Sequence, residues 1–120
     1  MLHTATTHAM HGARFHAYVS PSTGSTQLCA WRTELAPRTP GQPHTPSHEE
    51  VFLVLDGAPT FTVDDTVYDA HPGDVVRVPA GAEITAANTG DQPASMWVTT
   101  SVGIRAMTPD GTQITPPWAQ

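Results

Sequence analysis

The sequence contains no lysine, and its 120 residues carry a single cysteine, Cys29. Without lysine, no Schiff base can form on a side-chain amine. One cysteine excludes an intrachain disulfide, and within the apolar run Leu28–Trp31 a small buried thiol is expected rather than a nucleophile. Only 13% of residues are charged, and eleven acids stand against five arginines, for a formal charge of −6. That balance excludes a nucleic-acid backbone or an anionic membrane as a partner. No apolar run is long enough to cross a bilayer, and the first twenty residues lack the basic flank and apolar stretch of a secretion signal. A soluble, cytoplasmic chain is therefore expected.

What is abundant is punctuation. Twelve prolines and nine glycines separate short stretches rich in Thr and Val, the pattern of strands joined by tight turns. Residues 1–13 have no steady period and read as an N-terminal arm, loose or late to pack. Four histidines fall in or near it, at His3, His8, His11 and His16, a polar tail by composition. From residue 14, strands are expected at 14–19, 26–35, 51–55, 60–63, 67–68, 75–78, 83–88 and 95–102. Val51 to Leu55 is apolar on both parities, which predicts a strand covered on both faces. Residues 14–120 form one domain, and within it 103–120 make a tail whose Pro116-Pro-Trp-Ala-Gln120 is expected to pack back on the body or on a second subunit. Some eight strands and no credible helix give an all-β fold, a sandwich or a barrel.

Two spaced motifs then stand out. The first is His44-Thr-Pro-Ser-His-Glu-Glu50, followed after six residues by Gly57. The second is Gly73, Pro79, Gly81 and Asn88. These residues and offsets resemble the cupin family, small antiparallel jelly-roll (double-stranded β-helix) barrels. In that family's first motif, His-x-His and a glutamate precede the glycine; in its second, a histidine stands between Pro-x-Gly and the asparagine. The resemblance covers roughly residues 26–102. It implies a barrel whose interior holds one divalent metal on three histidines and a glutamate. His44 and Glu50 match ligand positions, whereas Pro46 and Ile84 stand where the other two histidines belong and offer no donor atom.

His48 shares strand parity with His44 and Glu50, so a bend at Thr45-Pro46-Ser47 would allow the set His44, His48 and Glu50 to take one Fe, Zn, Mn or Ni ion. The plainer reading makes His48 a rim residue paired with Glu49. Without metal, His44 and Glu50 are a carboxylate–imidazole pair able to move protons. Ile84 makes its wall apolar, with Val76, Val78 and Ala86 sharing that face, and Trp31, Phe52 and Trp97 are further candidates for the cavity wall. A mostly apolar cavity with a few polar groups suits a small organic ligand. The expected function is thus binding of a small, largely apolar molecule with no cofactor, either as a binding protein or with cyclase or isomerase chemistry. The alternatives are a metal-dependent, oxygenase-like enzyme on His44, His48 and Glu50, and an accessory protein without chemistry. The resemblance also implies a homodimer.

Overall fold

The computed structural model describes residues 1–120, and its regular structure is strand with two three-residue 3-10 turns. Twelve strands form in chain order: β1 (Thr6–Met10), β2 (Ala13–Val19), β3 (Leu28–Leu35), β4 (Thr45–Pro46), β5 (Glu50–Asp56), β6 (Thr60–Val63), β7 (Thr66–Asp69), β8 (Val75–Val78), β9 (Ile84–Ala87), β10 (Ala94–Ser101), β11 (Ala106–Met107) and β12 (Gln113–Ile114). They make a six-stranded sheet in the order β1-β2-β3-β10-β5-β8 and two three-stranded sheets, β7-β6-β9 and β12-β11-β4. Every pairing between strands is antiparallel. The all-β, jelly-roll expectation is met.

The core lies where the inner face of the six-stranded sheet meets the smaller sheets. Successive side chains of a strand point to opposite faces, and in β3 Cys29, Trp31, Thr33 and Leu35 are the inward set, all buried. They lie beside Thr100, Val98, Met96 and Ala94 of β10, which in turn abut Phe52 and Val54 of β5. Phe61 of β6 closes over this layer, its ring meeting Phe52 edge-on at 5.4 Å. Side chains as completely enclosed as Phe61, Ile84, Met96 and Val98 each contribute about 2 kcal/mol of burial free energy.

The motif landmarks have local physical causes. Gly57 turns the end of β5 at φ 78°, and a Cβ there would stand 2.5 Å from the Pro93 carbonyl oxygen; only glycine meets both conditions. Asn88 is 1% exposed, and its amide nitrogen donates to the carbonyls of Leu35, Ala36 and Gln92 at 2.7–3.2 Å. It ties the end of β3 to the turn before β10.

Three expectations change. The arm is not loose: Thr6–Met10 pairs in register with Ala13–Ala17 through a turn at His11-Gly12, forming the edge strand β1. Main-chain hydrogen bonds carry that hairpin, which is why its polar sequence shows no period. Strand β5 is not covered on both faces. Glu50, Phe52 and Val54 are buried, while Val51 and Leu53 are half-buried and Leu55 is exposed on the outer face. Finally, Thr45-Pro46 joins a different sheet, pairing with Ala106–Met107. No helix is long and apolar enough to cross a membrane.

Candidate functional site

Strand β5 opens on Glu50, whose parity with Phe52 and Val54 turns its side chain inward. Val78 of β8 is its cross-strand partner on one side. On the other, the pairing of Val51 with Thr99 places Thr100 of β10 beside it, and Thr100 is paired in turn with Cys29 of β3. Val78, Glu50, Thr100 and Cys29 thus form one inward row across four strands. The only hydroxyl in that row is committed elsewhere, since Thr100 Oγ1 donates to the Glu49 carbonyl at 2.7 Å.

Glu50 is consequently alone. It is 5% exposed, and its Oε1 is buried without any hydrogen-bond partner. Removal from water disfavours the charged form, and burial pushes the Glu50 carboxyl up to about 7. A carboxyl poised near neutrality exchanges a proton readily in either direction, which is what general acid–base chemistry requires.

His44 lies near one end of this region as the antiparallel bridge partner of Ile84. Its N–H donates to the Ile84 carbonyl at 3.0 Å, and the Ile84 N–H donates back at 2.8 Å. The ring is half-buried, and Nδ1 sits 2.9 Å from the Gln42 carbonyl. A carbonyl only accepts, so Nδ1 carries the proton and Nε2 is the open ring nitrogen. His48 goes elsewhere. The chain bends at Ser47-His48, one residue after β4, so His48 sits on the bend itself, with Nδ1 2.7 Å from Ser47 Oγ and its ring edge against Gly103. It does not pair with Glu49, whose carboxylate takes Arg77 at 2.7 Å.

Of the expected wall residues, Trp31, Phe52 and Ile84 all face the interior and belong to one apolar cluster, against which Val76 and Ala86 pack and which includes Val78. Trp31 directs its Nε1–H to Thr33 Oγ1 at 3.1 Å. Trp97 does not line this interior. Its parity is opposite to that of Met96 and Val98, and its ring lies on the outer face of the sheet, 5.4 Å from Tyr18. Thr100, which belongs to the row of Glu50, escaped the sequence reading. The tail packs back on the body as expected, and Trp118 stacks on Phe15. The alternation of β2 hints at Phe15, but nothing local points to its partner.

A family model for the cupin domain matches residues 31–101. The chain belongs to the cupin family. The fold of this cupin is similar to that of the polyketide cyclase RemF from Streptomyces resistomycificus, at 15% identity and a TM-score of 0.75, over 84% of this chain and 78% of that one. It is also similar to a cupin-superfamily sugar phosphate isomerase from Silicibacter pomeroyi, at 16% identity and a TM-score of 0.69, over 98% and 88% of the two chains. Salicylate 1,2-dioxygenase from Pseudoaminobacter salicylatoxidans shares the fold at 18% identity and a TM-score of 0.68, over 79% of this cupin and 26% of that chain. No curated protein sequence matches it. At such identities the likeness is one of fold, and the three proteins differ in chemistry.

The cupin fold implies a metal, and the donor set here does not fit one. Nowhere do three His, Cys, Asp or Glu side chains come together as a metal would need. His44 has a hydrocarbon side chain, Ile84, as its bridge partner, the orphaned carboxyl oxygen of Glu50 meets no second donor, and His48 is held on the bend by Ser47. The set His44, His48 and Glu50 is therefore not assembled.

Proposed function

We propose that this cupin binds a small, largely apolar organic molecule within its barrel and uses Glu50 as the proton-transfer group of an isomerase-like or cyclase-like reaction, without a metal. The observation that carries this reading is the unpartnered Oε1 of Glu50 in a mostly apolar interior. A buried carboxyl without a partner lowers stability, and a carboxyl near pH 7 is the property a base acting on a carbon acid needs. The walls supplied by Trp31, Phe52, Ile84 and Val78 exclude water from the enolate-forming step and favour an apolar substrate. In that step a C–H bond beside a carbonyl breaks, the proton passes to the Glu50 carboxylate, and the electron pair enters the enolate. Return of the proton to another carbon completes an isomerisation.

The test uses 2-tetralone, an apolar ketone with acidic C–H bonds, in deuterated buffer. Wild-type protein is expected to catalyse deuterium incorporation, read by NMR, with a rate that rises through a midpoint near pH 7. Glu50→Gln should lower the rate at least 100-fold, and a chelator should leave the wild-type rate unchanged. Exchange no faster than buffer alone, or exchange that survives Glu50→Gln, overturns the reading.

A further inference from the structure

The tail seats an aromatic ring against two rings of the six-stranded sheet. Trp118 lies parallel to Phe15 of β2, with ring centroids 3.6 Å apart and an interplanar angle of 2°. Trp31 of β3 meets the same indole in an edge-to-face contact at 6.5 Å and 65°. Phe15 and Trp31 thus hold the indole in a slot by one parallel stack and one edge-to-face contact, a geometry that selects planar aromatic rings over saturated ones. At the end of the slot stands a seat for an acceptor oxygen. Ser20 Oγ and the Ser22 N–H both donate to the Gln120 carbonyl oxygen, at 2.8 and 3.1 Å, and Ser20 is itself 2% exposed.

Two further observations give this slot an entrance and an exit. A groove of about 270 Å³ runs beside it, lined by Thr6, His8, Ser20 and Thr23 and by Trp118 itself, so the ring is reached from solvent. Inward, the Ala119 carbonyl lies 3.6 Å from Cys29 Sγ, and Cys29 belongs to the row of Glu50. Two strand spacings separate the two residues, about 10 Å, the reach of a two-ring molecule. The segment in the slot pairs with no strand and holds only a three-residue 3-10 turn, so vacating the slot disturbs no sheet.

We propose that the slot between Phe15 and Trp31 is a binding subsite for a planar aromatic molecule bearing an acceptor oxygen, and that residues 116–120 occupy it as an internal stand-in for that ligand. The inference deepens the proposed function, on which it rests for the interior being a ligand site. Trp118 then competes with the ligand ring, the Gln120 carbonyl competes with the ligand's oxygen, and the ligand's far side points along the row to Glu50.

The probe is 2-naphthoate, with cyclohexanecarboxylate as a control of equal charge but no flat ring. In calorimetric titrations the full-length wild-type protein is expected to bind 2-naphthoate at least tenfold more tightly than the control. NMR of the three indole N–H groups should show the Trp118 signal, assigned with Trp118→Phe, as the one displaced. Trp118→Leu should tighten 2-naphthoate binding about tenfold by removing the competitor, and Ser20→Ala should weaken it about tenfold. If Trp118→Leu fails to fold, the wild-type displacement and Ser20→Ala decide alone. No wild-type binding at millimolar probe, equal affinity for the control, or an unmoved Trp118 signal overturns the proposal. In the wild type, 2-naphthoate binding with no deuterium exchange on 2-tetralone removes the catalytic reading and leaves the subsite, whereas exchange without 2-naphthoate binding removes the subsite alone.

Discussion

Two glutamates of the six-stranded sheet, Glu34 and Glu50, experience opposite surroundings. Glu34 lies on the outer face of β3 with 38% of its side chain exposed. Arg32 and His16 Nε2 both donate to its Oε1, and Thr7 Oγ1 lies 2.8 Å from His16 Nδ1. The Arg32 hydrogen bond, ahead of its charge and of His16, holds the Glu34 carboxyl below its ordinary range. Glu50 faces inward with no partner, and burial pushes it up to about 7. The same residue type on the same sheet is a satisfied anion on one face and a proton-holding acid on the other. The difference lies in hydration and partners, which strand parity assigns.

The largest effect that sharpens this contrast is expected from Glu50→Gln. A raised acid pKa leaves the folded state unpenalised below the ordinary value of 4.5, and stability is lost as pH rises through about 7. The neutral amide removes that loss. Relative to wild type, Glu50→Gln should gain about 3 kcal/mol between pH 4 and pH 8. Urea unfolding at both pH values measures it, and a gain independent of pH would contradict the assignment.

A second change erases the contrast by giving Glu50 a partner. Val78 is its fully buried cross-strand neighbour, and Val78→Thr is nearly isosteric and places a hydroxyl on the residue directly across from Glu50. A hydrogen bond to the charged form favours it, so the Glu50 midpoint should fall by roughly one pH unit. An NMR titration of its carboxyl carbon reads this out, and an unmoved midpoint would mean that the orphaned oxygen is not aimed at β8.

The smallest effect is expected on the outer face. A lowered carboxyl pKa contributes stability above 4.5 that is lost as pH falls through the folded value. Glu34→Gln should therefore destabilise at pH 7 and become neutral in acid, opposite in sign to Glu50→Gln. With Glu34 open to solvent the loss stays below about 1 kcal/mol, measured by the same unfolding series and diminished by added salt.

How far these features could be read from residue order differs by element. Gly57, Gly73, Pro79, Gly81 and Asn88 mark positions where backbone geometry or a buried amide admits few residues, and their spacing led to the fold. The inward set of β3 followed from alternation. Strand β1 was missed because Thr6-Thr-His-Ala-Met10 holds its place by main-chain hydrogen bonds, which leave no apolar period. Strands β4, β11 and β12, of two residues each, are too short for any period to register. At the site, Pro46 and Ile84 were legible as missing donors, whereas the course of His48 depended on the pairing of Thr45-Pro46 with β11, sixty residues away in sequence. Trp97 was placed on the wrong face although Met96 and Val98 bracket it, because a large aromatic is a core residue by type and an outer residue here by parity. The meeting of Trp118 with Phe15 joins the two ends of the domain, a contact that no window along the chain contains.

The thiol of Cys29 gives the tail a clock. It is the chain's only sulfhydryl, it is fully enclosed, its pKa is raised by burial, and Ala119 lies against it. When closing of a segment is much faster than modification, the rate at which an aromatic disulfide reagent captures a thiol reports the fraction of time the covering segment is away. Capture of Cys29 therefore measures how large a share of the time residues 116–120 spend away from the body, without a label or a second cysteine to confuse the signal.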